Sequence, residues 1–270
     1  MPEMPEIFQL AEQMNEALKG RTIQAVHVTQ EKCLNMPVGD FAATLEGKRI
    51  EQVTSRGKWV FARLTEGAWL LLNLGMGGNV MLHEGTGSLP DKYQVRVDFD
   101  DGRMLTIGFW WFGYVHAATD QDLGSHKMTA SLGLTPLRDA GFTEEHLSSL
   151  LQGRRGSVKS FLLDQDRIAG IGNVYAQDIL FRARMHPNRR LETLTEADRS
   201  LLYSSIVETL SDAVRLGGLA YEKDLYGQPG RFKDFLVGYR EGQECPVCGA
   251  IIEKIKTGST SSYVCNNCQR

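Results

Sequence analysis

The 270-residue sequence contains no run of 18 consecutive apolar residues, so no segment is a candidate for a membrane-spanning helix and no membrane partner is expected. Its beginning has no basic stretch running into an apolar one, so no secretory signal is expected. A disulfide framework is missing too. Of the five cysteines, Cys33 stands alone, while Cys245, Cys248, Cys265 and Cys268 crowd the end of the chain. That distribution points to a reducing compartment, the cytoplasm, and to a metal site. Positive charge is not in excess: the formal net charge is −3, which argues against a uniformly basic nucleic-acid binder. The charge is uneven, however. Between Leu151 and Arg190 the basic residues Arg154, Arg155, Lys159, Arg167, Arg182, Arg184, Arg189 and Arg190 face only Asp164, Asp166 and Asp178, which leaves room for a local basic face. Internal repeats and low-complexity segments are absent.

What is present begins at once, in Met1-Pro2-Glu3-Met4-Pro5-Glu6. Removal of Met1 would leave Pro2 as a terminal secondary amine. An α-amino group has a reference pKa of about 7.7–8, against about 10.4 for lysine, so much more of it is unprotonated at neutral pH. Such an amine is a ready nucleophile for a carbonyl-like carbon. Glu3 beside it, and Glu6 a turn later, supply the acid that imine chemistry requires. Read alone, the same residues also suit an ordinary polar helix start.

Ile7, Leu10, Ala11, Met14 and Leu18 recur at helical spacing and Lys19-Gly20 ends the run, predicting a helix that anchors the N-terminus. From Thr22 to about Val115 the period changes to that of strands. Tyr93, Val95, Val97 and Phe99 alternate, Asp101-Gly102 gives a hairpin, and the spacing predicts a β-sandwich. Two stretches interrupt it. Leu74-Gly75-Met76-Gly77-Gly78 could hold Met76 exposed at a loop tip. Phe109-Trp110-Trp111-Phe112 reads by periodicity as a strand buried on both faces, with an aromatic wedge that enters a base stack as the alternative. Asp120 to Gly141 reads as a linker. Helices follow, capped by Thr143, Ser157 and Thr195, with Gly170-Ile171-Gly172-Asn173 breaking them and Gly217-Gly218 ending the last. Tyr221 to Tyr239 is long for a passive connector and reads as a lid or a tether. The sequence thus predicts an α+β protein: a β-sandwich with an N-terminal helix over 1–128, a helical domain over 129–220, a loop and connector over 221–240, and a hairpin over 241–270.

Cys245-x-x-Cys248 and Cys265-x-x-Cys268, sixteen residues apart, each offer two thiolates to one tetrahedral ion. One structural zinc is expected, because four cysteines leave no open position for chemistry. Cys33 is expected to be a buried small hydrophobe. None of the six histidines has ligand spacing.

Pro2-Glu3, Gly170-Ile171-Gly172-Asn173-Val174-Tyr175-Ala176 and the four-cysteine ribbon occur together. With Gly57-Lys58, Leu74-Gly75-Met76, Phe112-Gly113, Leu162-Leu163-Asp164-Gln165, His186-Pro187 and Cys268-Gln269, they make the chain resemble the formamidopyrimidine-DNA glycosylase/endonuclease VIII family over nearly its whole length. The resemblance implies a β-sandwich domain, a helix–two-turn–helix domain, a zinc hairpin, and damaged double-stranded DNA as partner of a monomeric enzyme. It implies a DNA glycosylase and abasic-site lyase. Pro2 would attack C1′ of a flipped nucleotide, Glu3 would protonate the sugar ring oxygen, Glu6 would support the pocket, and Lys58 would contact phosphate and assist elimination. Gly172, Asn173 and Lys159 would meet the DNA, Met76 would fill the space left by the flipped base, and Trp110 and Phe112 would also contact the DNA.

The chain also departs from the family. The usual Asp-Pro-Arg-Arg-Phe-Gly is here Gly108-Phe109-Trp110-Trp111-Phe112-Gly113, so Trp110 replaces the arginine that faces the orphaned base. Tryptophan stacks and donates once, which predicts weak discrimination of the opposite base. Thr260 replaces a phosphate-gripping arginine of the hairpin, with Lys256 as candidate compensation; a lost phosphate contact weakens binding and its salt dependence. Asn73 stands where the purine-specific branch often has histidine. Beyond the glycosylase, two alternatives are open: a non-catalytic binder of damaged DNA, and a glycosylase redirected to bulky alkyl adducts or crosslinks.

Overall fold

A computed structural model describes residues 1–270, which divide into two compact units: Met1–Ser131 with Leu216–Arg231, and Leu132–Arg215 with Phe232–Arg270. In the first unit, α1 (Met4–Leu18) buries Ile7, Leu10, Ala11, Met14 and Leu18 along one stripe. It starts earlier than its apolar spacing indicates, because Glu3 is its N-cap and forms a capping box with Glu6. It is followed by β1 (Ile23–Val28), α2 (Val38–Leu45), β2 (Ile50–Arg56), β3 (Trp59–Leu64), β4 (Ala68–Asn73), β5 (Asn79–His83), β6 (Val95–Phe99), β7 (Met104–Gly108) and β8 (Tyr114–Thr119). Two four-stranded antiparallel sheets result, ordered β1-β6-β7-β5 and β2-β3-β4-β8. The alternating Val95, Val97 and Phe99 are buried, with Arg96 and Asp98 less so. Helix α2 was not apparent in the sequence. It is short and seats Phe41 and Leu45 in the core. The expected linker opens with α3 (Asp120–Leu123), capped by the Thr119 hydroxyl.

Phe109–Phe112 is not a buried strand. It links β7 to β8 as a loop in which Phe109 packs against the core while Trp110, Trp111 and Phe112 stand out at 78, 65 and 69% exposure. Nor is the 221–240 segment one loop. Its first half returns to the first unit: Leu225 is buried in the core, Leu82 N donates to its carbonyl at 3.1 Å, and the Gln13 side chain bonds both Asp224 and the Leu225 amide. Its second half belongs with the helices.

The second unit holds α4 (Glu144–Leu151), α5 (Val158–Leu163), α6 (Asn173–Arg182), α7 (Glu196–Arg215), β9 (Glu253–Thr257) and β10 (Thr260–Val264). Thr143 and Ser157 cap α4 and α5 with their hydroxyls, and Thr195 and Asp198 exchange hydrogen bonds at the start of α7. Buried Asp178 on α6 accepts from the amides of Leu236, Val237 and Gly238, which pins the connector. Burial raises its pKa, and those three donors oppose the rise. Phe181, Val237, Ile252, Cys245 and Cys265 form a small core that joins α6 to the hairpin. Much of the expected basic face is neutralised by ion pairs, Arg167–Asp164, Arg182–Asp212, Arg189–Asp198 and Arg190–Glu192 among them.

Candidate active site and nucleic-acid interface

The amino terminus is fixed by its own helix. Pro2 and Glu3 are buried. The Glu3 amide donates to Glu6 Oε2 at 2.7 Å while the Glu3 carboxylate accepts from the Glu6 amide. The second oxygen of Glu6 accepts from Leu219 N at 3.0 Å. One buried carboxylate therefore holds both the first turn of α1 and the segment after α7. Glycine is required there. Gly218 has φ +81°, and a Cβ on it would lie 2.6 Å from Glu6 Oε1. A Cβ on Gly230 would meet the Gly218 carbonyl at 2.2 Å. The same segment carries Glu222, whose carboxylate lies 3.4 Å from the terminal amine and is 11% exposed. Burial raises its pKa; the terminal ammonium lowers it and Glu3 raises it further. Glu222 was not singled out from the sequence, since nothing in the local pattern of 221–230 indicates a partner at the other end of the chain.

Lys58 sits in the two-residue turn between paired Arg56 and Trp59, after Gly57 at φ +58°. Burial draws its ammonium below the ordinary lysine range, and the charges of Glu3 and Glu6 act in the opposite direction. Lys58 and the two carboxylates therefore share one electrostatic environment. Asn73 Nδ2 donates to the Lys58 carbonyl at 3.2 Å, and its Oδ1 accepts from Gly75 N at 3.2 Å. Asn73 thereby ties the lysine turn to the loop that carries Met76.

That loop and the aromatic loop are locked together. Met76 N donates to the Trp111 carbonyl at 2.8 Å, and Trp110 N to the Met76 carbonyl at 2.9 Å. The Gln94 side chain pairs with both backbone groups of Phe109, each at 2.9 Å. A Cβ on Gly77 would strike the Trp110 indole at 2.4 Å. Phe112 holds φ +57°, a left-handed conformation uncommon for an aromatic residue. The result is a preset surface of Met76, Trp110, Trp111 and Phe112, held out by backbone pairing.

In the second unit Gly172 is the N-cap of α6 and Asn173 its first residue. The preceding turn is held by Gln165, which bonds Leu163 O, Ile171 O and Gly170 N. Gln177 joins this turn to the hairpin: its amide donates to Asn173 O and Ser261 O, and its oxygen accepts from Tyr263 N. Lys159 does not face solvent as a phosphate ligand would. It is 3% exposed, and its ammonium lies 2.8–2.9 Å from Thr257 Oγ1, Thr260 Oγ1, Ser261 O and Ser262 Oγ. Burial draws its pKa down to about 8. Thr260 is thus an acceptor for a lysine inserted beneath the hairpin, while Lys256, paired across from Ser261, is exposed.

The sulfurs of Cys245, Cys248, Cys265 and Cys268 all lie within 4.8 Å of one another. An ion about 2.3 Å from each of four thiolates spaces them by a little under 4 Å, so the site fits zinc. Cys33 is buried, and burial raises its thiol to about 11, which makes it inert.

The fold and these clusters define a class: a two-sheet domain with a carboxylate-flanked amino terminus, a helix–two-turn–helix unit, and a four-cysteine hairpin. The chain belongs to the formamidopyrimidine-DNA glycosylase family. Residues 1–108 match the formamidopyrimidine-DNA glycosylase N-terminal domain, 132–224 its H2TH domain, and 242–270 the zinc finger found in FPG and IleRS. The formamidopyrimidine-DNA glycosylase of Pelotomaculum thermopropionicum is 34% identical over 100% of this chain and 99% of its own, and that of Chloroflexus aurantiacus 36% identical over 100% and 98%. Among solved structures, MutM (FPG) from Thermus thermophilus superposes with a TM-score of 0.89 at 29% identity, covering 99% of this chain and 98% of that one. Wild-type Lactococcus lactis Fpg in complex with N7-benzyl-Fapy-dG DNA gives 0.89 at 26% identity, covering all of both chains.

Proposed function

We propose that this DNA glycosylase and abasic-site lyase excises oxidised bases from duplex DNA through a Schiff base on Pro2, and that it accepts any base opposite the lesion. The observation that carries the reading is the capping box. It buries Glu3 and Glu6 beside the amino terminus and places Lys58 in their field. Once Met1 is removed, the Pro2 nitrogen attacks C1′ and the base departs. Glu3 protonates the ring oxygen as the sugar opens to an imine, and Lys58 meets phosphate and assists elimination. Glu6 keeps this constellation in register. Met76, Trp110 and Phe112 occupy the space vacated by the flipped nucleotide. Gly172 and Asn173 meet the backbone, and the hairpin presents Lys256 to it. Zinc, when bound, holds the hairpin closed and takes no part in the chemistry.

Indifference to the opposite base follows from the aromatic loop. Stacking does not distinguish bases by their hydrogen-bonding edges, and the loop offers no arginine to do so. We take the protein to act as a monomer in a bacterial cytoplasm, the compartment being supported by its bacterial relatives.

Borohydride trapping on abasic-site duplex, with N-terminal mass analysis, tests the chemistry. A covalent product is expected from the processed protein, weakened in Pro2→Gly and Glu3→Gln. No product from zinc-loaded protein that starts at Pro2 would leave a damaged-DNA binder in its place. Cleavage rates within a factor of about three across four opposite bases are expected; a tenfold preference would refute the indifference. The exposed Trp110 and Trp111 also suit larger lesions. Faster release of an N7-alkylated purine than of oxidised bases would favour that second reading.

A further inference from the structure

We propose that Glu222 is the base that takes the protons from the N-terminal amine, and so is a further catalytic residue of this site. The proposal deepens the Pro2 reading above and rests on it.

The geometry is specific. Glu222 Oε1 forms an ion pair with the terminal nitrogen at 3.4 Å. Glu3 and Glu6 have other tasks: each accepts from a backbone amide of the capping box, Glu6 also accepts from Leu219, and Glu3 is the acid for O4′. The backbone of Glu222 is itself anchored, its amide donating to Leu219 O at 3.1 Å and its carbonyl accepting from Gly230 N at 3.2 Å. Processing moves the amine one residue inward, from Met1 to buried Pro2. Adjacent Cα atoms are about 3.8 Å apart, a distance that the three side-chain torsions of a glutamate can take up.

The chemistry needs such a group twice. A terminal proline enters the reaction largely as R2NH2⁺ and has no lone pair until one proton leaves. Transfer to the Glu222 carboxylate gives R2NH and Glu222 as the acid, and that acid returns its proton to water through its exposed edge. The nitrogen pair then forms the N–C1′ bond. The C1′–base bond breaks with its electrons on the base, which is protonated by solvent. The nitrogen, now R2NH⁺–C1′, must lose its second proton before its electrons can form the iminium. As they do, the C1′–O4′ bond breaks and O4′ takes a proton from Glu3, which has first taken that proton up from water. Beside the amine at 3.4 Å, the carboxylate has its proton affinity raised by burial, lowered by the ammonium while that is charged, and raised by Glu3 while Glu3 is ionised, so it gains affinity as the amine gives up its charge.

The test compares processed wild type, Glu222→Gln and Glu222→Asp, each with zinc content and N-terminal mass verified. Borohydride-trapping rates on an abasic-site duplex are measured from pH 6 to pH 9, together with affinity for a duplex carrying a non-reactive tetrahydrofuran site. Glu222→Gln is expected to trap at least tenfold more slowly at pH 7, to recover toward wild type as rising pH deprotonates the amine itself, and to keep its affinity within threefold. Glu222→Asp should fall between the two. A glutamine variant within twofold of wild type at every pH overturns the proposal, and so does a loss that is constant with pH. Wild type that fails to trap at all overturns the Pro2 reading instead.

Discussion

Replacement of Lys159 by methionine separates a brace from a phosphate ligand. Its ammonium has three protons and four oxygen neighbours, on Thr257, Thr260, Ser261 and Ser262. A hydrogen bond to a charged group contributes about 1.5–3 kcal/mol. Much of that is recovered in the variant. Thr257 Oγ1 keeps Ser262 Oγ at 2.7 Å, Thr260 Oγ1 keeps Thr257 O, and Ser261 O keeps the Gln177 amide. The desolvation that draws the lysine pKa down to about 8 offsets a further part. Methionine refills the stem, so little cavity remains. The expected net loss is about 1–3 kcal/mol in urea unfolding of the zinc-loaded protein. DNA affinity should fall through the loosened hairpin, but the slope of log affinity against log salt should not change. A direct phosphate contact would remove about 0.9 from that slope. An unchanged stability, or a slope lower by about one, would refute the brace.

Three further outcomes follow from the same structure. Gly218→Ala places a methyl 2.6 Å from Glu6 Oε1 in a left-handed backbone, so it should cost about 1–3 kcal/mol and lower the trapping rate with DNA affinity retained; normal trapping would show that Glu6 is free to move. His116 is buried against His126 at 2.9 Å, and burial together with that neighbour lowers its pKa to about 4. Between pH 6.5 and about 4 the unfolded chain therefore binds the extra proton, so stability falls as pH falls through that window; His116→Gln should flatten the fall in thermal melts taken against pH. Withdrawal of zinc by a chelator should unfold 241–270 and abolish DNA binding while α1 and both sheets persist, as amide exchange would report.

Periodicity carried the regular parts. The alternation of Val95, Val97 and Phe99, the stripe from Ile7 to Leu18, and the caps at Thr143 and Ser157 are local, and all four read correctly because burial acts on them through near neighbours. The cysteine spacing was legible for the same reason, since each pair must turn about one ion. What failed was decided at a distance. Phe109–Phe112 has the composition of a buried strand, but the Gln94 clamp holds only Phe109 against the core, and the pairing of Met76 with Trp111 and the left-handed Phe112 turn Trp110–Phe112 outward. Lys159 looks like any basic residue of a charged stretch until four oxygens from the hairpin, about a hundred positions on, enclose it. Glu222 carries no local mark at all. Of the candidate site, the sequence offered Pro2, Glu3, Glu6, Lys58 and the cysteines, and did not mark Glu222 or the glycines that the structure sets around them.

The first unit is stitched from two ends of the chain, and translation imposes an order on that stitch. Glu6 and Leu219 are 213 positions apart. At about 5–20 residues per second, the ribosome takes on the order of 10–40 s to supply the segment that completes the corner around the amine. Through that interval the nascent terminus has neither Leu219 to hold Glu6 nor Glu222 to pair with its ammonium. On the Pro2 reading, an enzyme that trims Met1 would meet an open end, and the returning segment would close over it later. On the proposed role of Pro2, the timetable of synthesis would separate the making of the nucleophile from its enclosure.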